Sequence, residues 1–401
     1  MINLKSYLLN FKLIASTYFL VIFGLFLYSF TQVDLGLTLT ELSIWQVAQR
    51  FFQSIGYFDR PLSTNLYILI IVLLFSFYFL FLHFANNNKI SKKQVWILII
   101  GITLILFSSY NAFSYDLFNY IFDAKIVTAY HLNPYEHKAL DFPNDPMLSF
   151  MHWTHRTYPY GPVWLALTVP LSFLGLQFFL VTFFLFKAFI ALSFLGTVFY
   201  IGKIIKKIFP EKEVFGLVFF GLNPLIIIEG LVSAHNDVVM LFLAISSIYL
   251  FLEKKYLRAI ILFFLSIGVK FASVFLLPVF LVAYFFRNNK KFTPNNFFVL
   301  TLLAMIIPVF LASFRTTFQP WYILYFLTFA AFVSYKYYIL IPSVILSFFG
   351  LLQYIPFLYL GNWDPPVPTI LFWLTLAPIA LSAIFVVIWI SRSFIFKDNK
   401  A

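Results

Sequence analysis

The apolar residues of this chain gather into runs of about twenty, and that grouping constrains the fold more than any other feature. A bilayer core about 30 Å thick needs roughly twenty helical residues to cross it. Within that core the backbone must satisfy its own hydrogen bonds, so such a chain crosses as helices. An outer-membrane barrel would show alternating segments of about ten residues instead. Composition agrees, with 62% hydrophobic and 10% charged residues, where a soluble domain carries about a quarter charged. Cysteine is absent, which removes disulfides and thiolate metal sites.

The net charge of +12 could suggest a nucleic-acid partner, but the charges border the apolar runs, as they do where a polytopic protein fixes its orientation. No nucleic-acid partner is expected. The runs lie at about 13–31, 65–85, 95–112, 177–202, 214–231, 237–253, 257–269, 272–286, 296–313, 319–334, 338–356 and 369–391. They predict an all-α integral membrane bundle of about twelve spans over residues 1–401, one polytopic domain with both termini cytoplasmic. Lys5 and Lys12 anchor the start inside, and Asn86 to Lys93 forms an inner loop. On this assignment only Arg50, Arg60, Lys125, Lys138, Arg156, Lys270 and Arg315 among the 27 basic residues face outward. Most of the 15 acids face outward as well, Asp34, Glu41, Asp59, Asp116, Asp123, Glu229 and Asp237 among them. Acids contribute little to orientation, so their gathering points to an outward acidic, aromatic site. Residues 162–175 are apolar but too few to cross untilted, and read as a re-entrant or interfacial helix, tolerated only if buried in protein.

The large outer loop 113–161 carries the densest chemistry. Asp116, Asn119, Tyr120 and Asp123 stand at i, i+3, i+4 and i+7, one face of a helix. The spacing predicts an amphipathic helix on the membrane surface with a carboxylate stripe that can supply a general base. Asn133-Pro134-Tyr135 predicts a turn, and Tyr158-Pro159-Tyr160-Gly161-Pro162 a rigid aromatic entry to the re-entrant helix. Such rings stack on sugar faces, and Arg156 beside them can grip an anion. His235-Asn236-Asp237 opens a later span, where a carboxylate also complements a helix N-terminus. Lys187 lies inside a span, and Lys270 and Arg315 are placed to hold a phosphate at the outer leaflet.

These segments resemble the GT-C superfamily of polytopic glycosyltransferases, which take their sugar from a polyprenyl phosphate. The resemblance is closest to the bacterial polyprenol-phosphate-mannose-dependent mannosyltransferases (glycosyltransferase family 87-like) and extends to the catalytic subunit of GPI mannosyltransferase I. It rests on Asp116, Tyr120 and Asp123, on Asn133-Pro134-Tyr135, and on Tyr158 to Pro162. Asn223-Pro224, His235-Asn236-Asp237, Lys270 and Pro320-Trp321-Tyr322 complete it, over about half the chain. It implies an inverting hexosyl transfer, most readily of mannose, to a lipid or glycan acceptor on the outer face of a bacterial plasma membrane. Its implied catalytic residues are Asp116 and Asp123, with Lys270, Arg315 or Arg156 on the donor phosphate. Tyr120, Asn133, Tyr135, Tyr158, Tyr160, His235, Asn236, Asp237, Trp321 and Tyr322 would line the substrates. Here the acidic loop follows the third run rather than the first, and Tyr-Pro-Tyr-Gly stands where relatives carry Tyr-Pro-Pro-Gly. Asp59, in the earlier loop, and Asp237 therefore remain rival bases. No cofactor is implied beyond the lipid-linked donor. A divalent metal is not implied, since no Asp-X-Asp occurs, although carboxylates from separate loops could assemble a site. An O-antigen polymerase or ligase, or a secondary transporter of a polar solute, are the alternative classes.

Overall fold

The computed structural model describes residues 4–289 and 291–398; the side chains of residues 4–10 and 393–398 fall outside the description. The placing of both termini, and the anchoring by the Lys5 side chain, lie outside it too. Among the described residues there is no strand. The α-helices, in order, are α1 (Leu4–Ser29), α2 (Ser43–Gln53), α3 (Arg60–Asn86), α4 (Lys92–Leu106), α5 (Asp116–Thr128), α6 (Pro162–Leu174), α7 (Phe179–Ile208), α8 (Glu213–Gly221) and α9 (Pro224–Ile227). They continue with α10 (Asp237–Leu252), α11 (Tyr256–Val269), α12 (Leu277–Phe285), α13 (Pro294–Arg315), α14 (Ile323–Ala330), α15 (Tyr337–Leu352), α16 (Ile355–Leu360) and α17 (Val367–Asp398).

Every apolar run is largely helical, but length separates them. Among the described residues six helical segments are long and apolar enough to cross a bilayer, or seven if the bent pair at Pro210–Gly221 and Pro224–Val232 is one span. Five more apolar helices have only 10–17 residues, so at 1.5 Å per residue they reach at most about 25 Å. Length alone thus supports fewer crossings than the twelve runs suggest. The reason lies in what interrupts the runs. Asn223 caps the start of α9, and its side-chain oxygen accepts from the N–H groups of Leu225 and Ile226. Pro224 cannot donate, so the chain turns there by 55°. The amide nitrogen of Asn223 donates to Ser347 Oγ at 3.1 Å and Tyr78 OH at 3.4 Å, which satisfies this fully buried side chain. The Asn-Pro pair is a joint of the scaffold.

Two helices differ from their expected settings. α5 does not lie open on a surface: Leu117, Phe118, Tyr120, Ile121, Phe122, Asp123, Ala124 and Ile126 are all buried. One side is covered by α6, and Phe118 is covered by Phe150 and Phe179 at 5.1 and 6.0 Å. The polar stripe is covered because aromatic groups that follow it in the chain, Tyr160 and Trp164, fold over Tyr120. α6 has 13 residues, short of a crossing, and buries only the stripe Trp164, Thr168 and Ser172. Phe173 and Leu174, near its end, are exposed.

The bundle has two distinct ends, which α10 connects. It starts at Asp237, beside Lys270, and finishes next to Glu253, beside Lys207. The first end gathers the 113–161 loop, the starts of α5 and α10, the end of α11 and the Pro320–Tyr322 turn. At the second, Lys92 pairs with Glu213 at 2.6 Å and Lys207 with Glu253 at 2.5 Å.

Candidate functional site

Backbone crossing places the first elements. The N–H of Gly161 donates to Val269 O at 3.2 Å, so the entry to α6 rests against the end of α11. A Cβ on Gly161 would lie 2.1 Å from Gly268 O, and one on Gly268 would lie 2.4 Å from Val163 Cγ2. Both residues must be glycine for this approach, which sets Lys270 beside the aromatic loop.

Those aromatics form a ladder. Tyr135 packs edge-on against Tyr158 at 5.0 Å, Tyr158 on Tyr160 at 5.6 Å, Tyr160 on Tyr120 at 5.1 Å and Tyr120 on Trp164 at 5.2 Å. It runs from exposed Tyr135 to fully buried Trp164. Asn133 shapes its outer end as an Asx turn, accepting from Tyr135 N–H at 3.1 Å while its amide donates to Glu136 at 2.8 Å. Tyr158 N–H donates to Pro134 O at 2.9 Å, and Tyr158 OH to Gly161 O at 3.0 Å. The two motifs read separately in the sequence are one structure.

Beneath the ladder lies a buried ionic row. His235 faces Asp116 Oδ2 through Nδ1 at 3.5 Å and Glu229 Oε2 through Nε2 at 3.3 Å. The His235 and Glu229 side chains have no exposure, while that of Asp116 is 19% exposed, so the row opens at Asp116. Both distances are ion-pair contacts, longer than good hydrogen bonds. Trp321 stacks on the His235 ring at 4.2 Å, and Tyr354 OH donates to Glu229 Oε1 at 2.7 Å. Burial opposes ionisation of Asp116, but His235, Lys270 and Arg156 outweigh it and hold the carboxyl below its ordinary range. Burial likewise opposes charge on His235, yet Asp116 and Glu229 carry the ring up to about 9. Asp123, on the same helix face as Asp116, has no cation among its influences; burial, then the charge of Asp116, pushes it up to about 8. Two carboxyl groups two turns apart are therefore set to opposite states, one ionised and one neutral at pH 7.

A second pair stands alongside. Lys270 Nζ donates to both oxygens of buried Asp237, at 2.8 and 3.0 Å. Asp237 thus has a specific partner beyond its place at a helix start. Asn236 N–H donates to Tyr120 OH at 3.5 Å, while the Asn236 side chain, fully buried, has no protein partner. Asn119 Oδ1 and Trp164 Nε1 are also without one. Buried polar atoms normally have partners, so this group offers donors and acceptors to a hydroxylated ligand.

The structure therefore brings together Asp116, Asp123, Tyr120, Tyr158, Tyr160, His235, Asn236, Asp237, Lys270 and Trp321. Arg156 is exposed, its guanidinium 4.1 Å above the Trp153 ring, and influences Asp116 from the loop. Tyr322 packs beside Trp321 at 5.7 Å. Arg315 ends α13 exposed and enters none of the bonds that tie the cluster. Asp59 is exposed and caps α3 by accepting from Leu62 N–H at 3.1 Å, a structural task. Sequence reasoning placed Glu229 near the site without a role, and missed Tyr354. Glu229 sits in an apolar stretch whose only signal is the acid itself, and Tyr354 ends a run over a hundred residues away. Among the described residues no three His, Asp or Glu side chains converge as metal ligands would.

One family model matches residues 20–286: the MptA_B family, described as alpha-(1->6)-mannopyranosyltransferase, N-terminal domain. No curated protein and no solved structure matches the chain.

Proposed function

The chain belongs to this alpha-(1->6)-mannopyranosyltransferase family and is a mannosyl-transfer enzyme of the membrane, and on that premise we propose that it transfers mannose from a polyprenyl phosphate to a lipid or glycan acceptor at the outer face of a plasma membrane. The 6-hydroxyl of an acceptor mannose is the nucleophile suggested by the family description. A sugar hydroxyl needs a base as its new bond forms. Asp116 supplies it: the acceptor hydroxyl gives its proton to the carboxylate, the oxygen bonds the anomeric carbon, and the bond from that carbon to the lipid phosphate breaks. The configuration inverts, and the phosphate departs with the lipid. Lys270, with one N–H not used by Asp237, and Arg156 meet its charge. The aromatic ladder and the unpartnered Asn236 and Asn119 hold the sugars.

The observation that carries this reading is the place of Asp116: it is the partly exposed end of an otherwise buried row, its Oδ2 3.5 Å from His235 Nδ1. The test is donor choice in proteoliposomes. Labelled mannose is expected to pass from polyprenyl-phosphate mannose and not from a nucleoside-diphosphate mannose; transfer from the nucleotide alone would sink the lipid-donor reading. Sidedness is checked with single cysteines at the exposed positions Leu140 and Asn88, since the native chain has none. An impermeant thiol reagent on intact cells is expected to label Leu140→Cys only.

A further inference from the structure

We propose that Glu229, anchored by Tyr354, and His235 form a buried relay that keeps an imidazolium behind Asp116, which makes Glu229 and Tyr354 positioning residues of the mannosyl transfer. This rests on the reading of Asp116 as the base. The argument begins with proton counting. A neutral imidazole donates through one nitrogen only. Both nitrogens of His235 face carboxylate oxygens, at 3.5 and 3.3 Å. A neutral ring would turn a lone pair toward one of them, so only the doubly protonated ring suits both. The stacked Trp321 favours the same charge, since an indole face attracts a cation.

Glu229 has little else to neutralise it. Its side chain is fully buried; Tyr354 OH serves one oxygen, and the other has no partner beyond the ring. A buried carboxylate with one hydroxyl donor is costly, and the imidazolium supplies the missing charge. Burial and the two carboxylates together bring His235 up to about 9. The segment that presents these groups is itself fixed. Glu229 lies in a π-helical turn, Ile228–Val232, of the kind often found at functional sites. The widened turn leaves carbonyls free, and buried Lys187 donates to those of Leu231 and Val232 and to Ser109 Oγ. His235 N–H returns to Glu229 O at 3.2 Å. The imidazolium meets Asp116 at Oδ2, which leaves Oδ1 for the acceptor hydroxyl.

The groups that face His235 are Asp116 from α5, Glu229 from the π-turn and the Trp321 ring. Behind Glu229 stand Tyr354 and Tyr67, and beside Asp116 stand Lys270 and Arg156. Glu229 is the counter-charge whose removal leaves the reacting carboxylate in place. The experiment is the pH profile of turnover in proteoliposomes for the native enzyme, Glu229→Gln, Tyr354→Phe and Asp116→Asn, with melting temperatures of each. Native turnover is expected to fall above about pH 9, as the ring loses its proton. Glu229→Gln should move that alkaline limb down by about one pH unit or more, with turnover partly recovered near pH 6. Tyr354→Phe should move it the same way by less. Turnover lowered equally at every pH, with the limb unmoved in both variants, overturns the relay and leaves Glu229 a structural residue. If Glu229→Gln does not fold, the limb of Tyr354→Phe decides. Active Asp116→Asn enzyme removes the base reading itself, whereas inactive Asp116→Asn with unmoved limbs removes the relay alone.

Discussion

The two ends of the bundle carry ion pairs of similar length and opposite character. At one end Lys207 and Glu253 approach to 2.5 Å with side chains 44% and 30% exposed. At the other, Lys270 meets Asp237 at 2.8 Å with 24% and no exposure, and His235 lies between two acids with none of its own. Distance does not separate them; burial does. An exposed pair exchanges water for its partner at little gain. A buried one carries a large desolvation cost, and a hydrophobic pair of the same shape would often serve stability as well. Charge retained where stability does not require it is the sign of a working site. The unpartnered atoms of Asn236, Asn119 and Trp164 mark the same end.

The sharpest way to break the comparison is at Asp116. Loss of a general base costs about 10²–10⁴-fold in rate. Asp116→Asn is expected to lower turnover into that range while donor binding persists. Near-normal turnover would leave the buried end without its base, and Asp237→Asn would then be tested in its place. The next effect concerns the donor. Lys270→Met alone strands Asp237, a buried carboxylate, and a folding defect would hide any phosphate contact. The double variant Lys270→Met with Asp237→Asn removes the pair together. A charge-assisted contact contributes about 1.5–3 kcal/mol, so the donor requirement should rise by one to two decades. Arg315→Met, outside the cluster, should leave it within a factor of about two. A larger rise for Arg315→Met than for the double variant would move the phosphate to the other cation.

What the sequence could announce follows from how each feature is encoded. Helix positions are local, so the apolar runs located them and Asp116 to Asp123 were placed on one helix face. Span count was less legible, because the joint at Asn223-Pro224 divides a run that hydropathy reads as continuous and several other apolar helices are too short to cross alone. The burial of α5 could not be read, since Tyr160 and Trp164, which cover it, come forty residues later. Tyr354 was invisible for the same reason: its bond to Glu229 joins residues 125 positions apart. Only the packing shows that Lys270 is already engaged by Asp237.

Asp123 sharpens the comparison within the buried end. Its carboxyl is up to about 8 in the folded chain, through burial and then Asp116, against an unfolded value near 4. Between those values the folded state holds a proton that the unfolded state releases. The neutral acid's contribution is therefore complete at low pH and lost as pH rises through about 8. Asn resembles the neutral acid and has nothing to lose. Asp123→Asn is expected to melt a few degrees (~2–4 °C) above the native protein at pH 9 and close to it at pH 5. An equal offset at both pH values would mean that Asp123 is not buried as a neutral acid.

The smallest expected effect lies at the exposed end, and its smallness is the prediction. Lys207 holds Glu253 below the ordinary carboxylate range through their hydrogen bond. A depressed carboxylate adds stability above its unfolded value and loses it as pH falls through the folded one. Here that gain is screened by solvent on both partners, and holding two long side chains in one geometry costs entropy. Lys207→Gln and Glu253→Gln should each leave turnover within a factor of about two and melting within about 2 °C. High salt should change even less, because little remains to be screened. The pair also lies a full helix away from Asp237 along α10, so any coupling to transfer would have to pass through that helix. A tenfold fall in turnover with melting unchanged would show such coupling, and burial would then no longer distinguish the working end of the bundle from the other.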